Sequence, residues 1–168
     1  MESFLIPVVV SLVMAFLYAA SRKKPIEDEM GNKILRLPVF FYVLGVISIV
    51  FGLVLSLLVF SNEEDVFISI PFFMLFFILG MVLIIGRKNT QTVITPEKII
   101  HTSFWGKTKE LNWEEISKLS YGKMSQELKI ESKKKKIRVH VLMVGFKELL
   151  SEIENRTSHS IRDLGIPQ

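Results

Sequence analysis

Three stretches in the first 86 residues contain no Asp, Glu, Lys or Arg: Phe4–Ala20, Val39–Phe60 and Val66–Gly86. As helices rising 1.5 Å per residue they would extend roughly 26, 33 and 32 Å, against a bilayer hydrocarbon core of about 30 Å. One such run fits the core helix of a soluble domain. Three in succession leave too little polar surface to cover them. The chain is therefore predicted to place helices at about 4–20, 39–60 and 66–86 in a membrane.

Composition changes where the third run ends. Residues 1–86 carry 5 Lys/Arg and 7 Asp/Glu, whereas residues 87–168 carry 16 and 10. Eleven of the 13 Phe lie in the first part. A single soluble domain is excluded by this asymmetry. The chain has no cysteine, which excludes a disulfide scaffold and thiolate chemistry. The expected division is a transmembrane region at 1–88, a β-rich domain at 89–156 and a flexible C-terminal tail at 157–168.

Charged flanks set the expected orientation. Glu2 precedes the first run and Arg22, Lys23 and Lys24 follow it, the pattern of an uncleaved anchor that enters with its N-terminus outside. Ala19-Ala20-Ser21 also resembles a signal-peptide cleavage site. The loop at 21–38 carries five Lys/Arg, whereas 61–65 reads Ser-Asn-Glu-Glu-Asp. Arg87 and Lys88 follow the third run. The positive-inside rule places 21–38 and everything after 86 in the cytoplasm. A multi-pass protein of the cytoplasmic (inner) membrane is the expected localisation.

Small residues recur every four positions at Ser11, Ala15 and Ala19 in the first run, and at Ser48, Gly52 and Ser56 in the second. That spacing lines one helix face and permits close backbone approach. The two stripes are expected to face each other within one chain, with homodimerisation through the second as the alternative. The spans offer only Tyr18, Tyr42 and a few Ser as polar groups. Ion pathways, proton relays and intramembrane proteolysis need carboxylates, His or a paired nucleophile. The helices read as an anchor.

From residue 89 the pattern switches to alternation with period two. Strands are expected at Gln91–Thr95, Ile99–Phe104, Lys107–Trp113, Ile116–Tyr121 and Gln126–Ser132, with a sixth carrying Ile137, Val139 and Val141 on one face. Phe146, Leu149, Leu150 and Ile153 then recur with helical spacing, an amphipathic helix able to cap an open end of the sheet.

Four segments carry a family likeness: Ile94-Thr95-Pro96-Glu97-Lys98-Ile99, Phe104-Trp105-Gly106-Lys107, Leu111-Asn112-Trp113-Glu114-Glu115-Ile116 and Gly145-Phe146-Lys147-Glu148-Leu149. With six strands and a closing helix, residues 89–156 resemble the bacterial pleckstrin-homology-like domain. The resemblance implies a membrane protein of α+β class: three transmembrane helices followed by a pleckstrin-homology-like antiparallel β-barrel or sandwich closed by a C-terminal helix. That fold has seven strands, and Asn32–Leu37 would supply the missing one. The basic pattern of phosphoinositide-binding members, between the first two strands, is not matched here.

Catalytic constellations do not emerge. His101 and His140 fall in strands, where a surface or edge position is the ordinary case. They and His159 lack any metal-ligand spacing. Adjacent Glu114 and Glu115 point apart and read as a turn or short helix start. No enzyme activity, cofactor or metal is expected. Lys133, Lys134, Lys135 and Lys136 form the strongest candidate site. At a hairpin tip these ammonium groups would either meet anionic lipid headgroups, at about 1 kcal/mol per basic residue, or simply keep a strand edge solvated. The expected partners are the lipid bilayer, anionic headgroups, and a protein partner or a second copy of the chain. Nucleic acid is not expected.

Overall fold

In the computed structural model the described residues are 24–59, 66–161 and 164–166. They separate into two compact units, one comprising Val39–Asn89 and the other the described residues on either side of it. The expected first span lies outside the described residues, and with it Ser11, Ala15 and Ala19.

The inner unit is a pair of helices, α1 (Val39–Val59) and α2 (Val66–Asn89). Both are long and apolar enough to cross a membrane. The second extends three residues beyond the expected end, so that Arg87 and Lys88 occupy its last turn, where cations oppose the helix dipole favourably. Glycines set the approach of the pair. A Cβ built on Gly80 would stand 2.5 Å from the carbonyl oxygen of Gly45, and one on Gly52 would stand 2.6 Å from Phe76 Cβ. Ser48 Oγ donates to the Phe76 carbonyl at 3.1 Å. Phe51 meets Phe76 edge-on with ring centroids 5.3 Å apart. Ser48 and Gly52, two members of the second stripe, therefore face α2. Large side chains such as Ile47, Leu53, Leu57, Leu75 and Ile78 are exposed, a surface suited to hydrocarbon rather than water.

The outer unit contains eight strands and a helix. A five-stranded antiparallel sheet runs in sequence order: β1 (Ile26–Glu27), β2 (Lys33–Arg36), β3 (Gln91–Ile94), β4 (Lys98–Thr102) and β5 (Thr108–Asn112). A single 3-10 turn at Trp113–Glu115 leads to a three-stranded antiparallel sheet of β6 (Lys118–Gly122), β7 (Glu127–Glu131) and β8 (Lys136–His140). Helix α3 (Phe146–Arg156) follows. Alternation puts Ile94, Ile99, Leu111, Leu128, Ile130, Ile137 and Val139 into one core, which α3 covers with Phe146, Leu149 and Ile153.

One expected strand is present, and two features depart from the sequence expectation. Strand β2 falls within Asn32–Leu37, the segment expected to supply the missing strand, although the division at residue 88 grouped it with the helices. Strand β2 belongs to the β unit and pairs with β3 across the inserted helices, through Lys33↔Ile94, Ile34↔Val93, Leu35↔Thr92 and Arg36↔Gln91. Leu35 is completely buried in the shared core. The strands do not close into a barrel. They form two open ladders, because β5 and β8 are joined by side chains rather than by a backbone ladder. Finally, the segment after 157, expected to be a flexible tail, returns to the core: Ile161, Leu164 and Ile166 are partly buried against it.

Candidate functional site

The Lys run forms the turn between β7 and β8. Ser132 shapes it: its Oγ accepts from the Lys135 amide at 3.1 Å, and its own amide donates to the Lys135 carbonyl at 2.8 Å. The four lysines then divide by environment. Lys136 is paired with Glu131 across the hairpin. Lys135 Nζ donates to the Glu110 carbonyl at 3.0 Å, and Lys109 Nζ donates to the Lys136 carbonyl at 3.1 Å. These two reciprocal bonds fasten the hairpin tip to the outer edge of β5. Lys133 and Lys134 are exposed and, among the described residues, have no side-chain hydrogen bond or ion pair.

The tip separates two open clefts. One, of about 600 Å³, is lined by Lys109, Glu110, Glu131, Lys134, Lys135 and Lys136. The other places Lys133–Lys135 opposite Glu114 and Glu115. Lys98 holds the Glu110 carboxyl below its ordinary range by a 2.7 Å hydrogen bond, with Lys135 adding to the effect. Lys136 does the same for Glu131. Both carboxylates are thus ionised at neutral pH and offset part of the lysine charge. Lys109 is the member of this group that strand alternation concealed. It shares the face of His101 and Leu111 but stands at the edge, where its ammonium reaches solvent.

His101 corrects the sequence reading. It is buried on the core face of β4, not at a surface or edge. Its Nδ1 lies 2.9 Å from Thr92 Oγ1, which also approaches Met143 Sδ at 3.7 Å. Thr92 stands directly opposite His101 in the ladder, which supplies the partner that burial of a polar ring requires. Desolvation, assisted by Lys109, pushes the imidazole down from 6.5 to about 4. His101 is therefore neutral at pH 7. His140 is half-buried, and its Nδ1 accepts from the Leu142 amide at 3.1 Å. Among the described residues no group of three His, Asp or Glu is arranged to hold a metal ion.

A third cluster ties α3 to the sheet. Glu152 accepts from Lys33 at 2.9 Å and from Arg156 at 2.6 Å. Arg156 reaches the Pro96 carbonyl at 2.5 Å and lies 5.3 Å from the centroid of the Trp113 ring. Its Nε and Nη1 are both engaged in packing the helix. Ser56 is half-buried on α1. Comparison with protein-family models, curated proteins and solved structures finds no match to this chain.

Proposed function

We propose that the chain is a non-enzymatic, multi-pass protein of the cytoplasmic membrane that presents a pleckstrin-homology-like domain for protein–protein interaction or self-assembly. The observation that carries this reading is the β2–β3 ladder. Strands on either side of α1 and α2 pair with each other, so both ends of the helical hairpin belong to one compartment. The Lys/Arg bias of residues 21–38 assigns that compartment to the cytoplasm. Two antiparallel sheets followed by α3 support this reading, although the first sheet also contains β1 and the sheets do not close. Because the chain has no cysteine, single-cysteine labelling tests the topology directly. Asn62→Cys should react with an impermeant maleimide in intact cells, and Ser125→Cys only after permeabilisation. The reverse pattern refutes the orientation. Crosslinking in intact cells should recover a partner or an oligomer, and recovery of monomer alone refutes the interaction role.

A second reading, anionic-lipid sensing, rests on the exposed and unpaired Lys133 and Lys134. Its test uses the full chain, because a fragment starting at residue 87 lacks β2 and its buried Leu35. Anionic phosphatidylglycerol should be enriched over phosphatidylcholine in lipid retained from mixed micelles. Equal enrichment after Lys133→Gln and Lys134→Gln refutes this reading.

A further inference from the structure

The five-stranded sheet has two chemically different ends. At one end lie Arg36, Gln91, Thr102 and Thr108, which the ladders place side by side. The β4–β5 turn, Ser103-Phe104-Trp105-Gly106-Lys107, projects from this end. Its residues include Lys107 and no carboxylate. At the opposite end are Asp28 and Glu29 in the β1–β2 turn, Glu97 in the β3–β4 turn, and Glu114 and Glu115 after β5. Of the sheet's own lysines, the nearest to that end, Lys33 and Lys98, are bonded to Glu152 and Glu110, while Lys133–Lys135 of the β7–β8 turn line a cleft with Glu114 and Glu115. The sheet is thus acidic at one end and basic-aromatic at the other.

Trp105 is 80% exposed at the tip of the turn. The turn itself is well built. Gly106 N–H donates to the Ser103 carbonyl at 2.8 Å and Ser103 N–H to the Lys107 carbonyl at 2.9 Å. Gly106 adopts φ +74°, a conformation that glycine reaches without strain. Phe104 buttresses the indole edge-on, with centroids 5.0 Å apart. A large ring held out of the core by an ordered turn has been positioned rather than left over. Its end of the sheet is also where the chain departs for α1 and returns from α2. Arg36 precedes Val39 by three residues and Gln91 follows Asn89 by two.

We propose that this end of the β unit rests on the bilayer surface, with Trp105 seated in the headgroup–acyl boundary and Lys107 among anionic headgroups. This rests on the reading of α1 and α2 as membrane-spanning. Tryptophan favours that layer because its ring is apolar while its N–H seeks a polar partner. The acidic end, turned away, avoids repulsion from anionic lipid. The surface is distinct from the Lys133–Lys136 tip, which lies along the β5 edge against Glu110, Glu114 and Glu115.

The chain has two tryptophans, and Trp113 is buried with its Nε1 donating to the Thr95 carbonyl at 3.0 Å. Subtracting the emission of Trp105→Phe from that of the parent protein therefore isolates Trp105. The full chain is reconstituted in phosphatidylcholine/phosphatidylglycerol vesicles. The Trp105 component should be quenched by brominated acyl chains and protected from aqueous iodide. Met30→Trp, placed at the acidic end in the Trp105→Phe background, should show the opposite pattern. Trp105 emission that iodide quenches as fully as the Met30→Trp reporter, in protein that resists alkaline extraction from the vesicles, overturns the proposal. Loss of the protein on alkaline extraction instead overturns the membrane-spanning reading on which it rests.

Discussion

Leu35→Ala tests whether the segment before the helices belongs to the β unit. Leu35 has no solvent exposure and belongs to the buried cluster that also holds Ile94 of β3 and Leu149 of α3. The substitution removes three carbon atoms, about 2.4 kcal/mol at roughly 0.8 kcal/mol per buried methylene. A residual cavity raises the cost to about 3–4 kcal/mol, within the range for Leu→Ala in well-packed cores. For a domain of this size that lowers the melting midpoint by roughly 15 °C or more. The full chain in non-ionic detergent would be melted while the emission of Trp113 is followed in a Trp105→Phe background. Met30→Ala provides the control. It lies in the same hairpin but is 88% exposed, so it should stay within about 0.5 kcal/mol of the parent. Amide exchange of β3 should accelerate in Leu35→Ala and remain unchanged in Met30→Ala. Equal melting of the two variants would refute the assignment of β2 to this core.

Three further outcomes are expected. An unfolded His101 takes up a proton near pH 6.5, whereas the folded one does so only near 4. The stability present above pH 6.5 should therefore fall as pH drops toward 4, by at most roughly 3 kcal/mol. His140 shifts in the same direction, so the His101 contribution is read as the difference from His101→Gln in denaturant titrations at each pH, and parallel curves would refute it. Gly80→Val should force α1 and α2 apart, because its Cβ would meet both Gly45 O and Ile49 Cγ1 at 2.5 Å. The rate of disulfide formation between Ser48→Cys and Phe76→Cys should fall, and an unchanged rate refutes the close packing. Arg156→Ala should cost about 1–2 kcal/mol through loss of the Pro96 hydrogen bond and the Trp113 contact, read as the urea midpoint. Arg156→Lys should restore only part, and a loss for Arg156→Ala below about 0.5 kcal/mol would refute the clamp.

Period and length made most elements legible. The strands from Gln91 to His140 and helix α3 appear close to their expected bounds because alternation and helical spacing are local signals. Strand β2 was harder to place. Lys33-Ile34-Leu35-Arg36 is too short to alternate convincingly, and its partner lies beyond two apolar helices. His101 was misread for a related reason. Its burial depends on Thr92, a cross-strand neighbour that only the ladder identifies. Ile161, Leu164 and Ile166 were lost among Gly, Pro, Ser and Thr that signal an open tail. In the Lys run, composition identified four charges, but only geometry separates Lys135 and Lys136, which fasten the hairpin, from Lys133 and Lys134, which project. The small-residue spacing located Ser48 and Gly52, yet it missed Gly45 and Gly80, where the backbones approach most closely. Gly80 belongs to no four-residue series, so only the packed pair exposes it.

The insertion of a helical hairpin between β2 and β3 has an energetic consequence for both units. Were the intervening stretch, about 50 residues, a flexible loop, bringing Arg36 beside Gln91 would cost roughly 3–4 kcal/mol of closure entropy. Two antiparallel helices of 21 and 24 residues remove most of that cost, because their outer ends return to the same level. The Arg36 Nη2 bond to Gln91 Oε1, at 3.1 Å, then closes the junction. Pairing of β2 with β3 therefore depends on the hairpin being formed, and by linkage the ladder stabilises the hairpin by the same amount. In a chain made from its N-terminus, β2 must wait for both helices before it finds its partner. Completion of the β unit therefore follows synthesis and pairing of the two apolar helices.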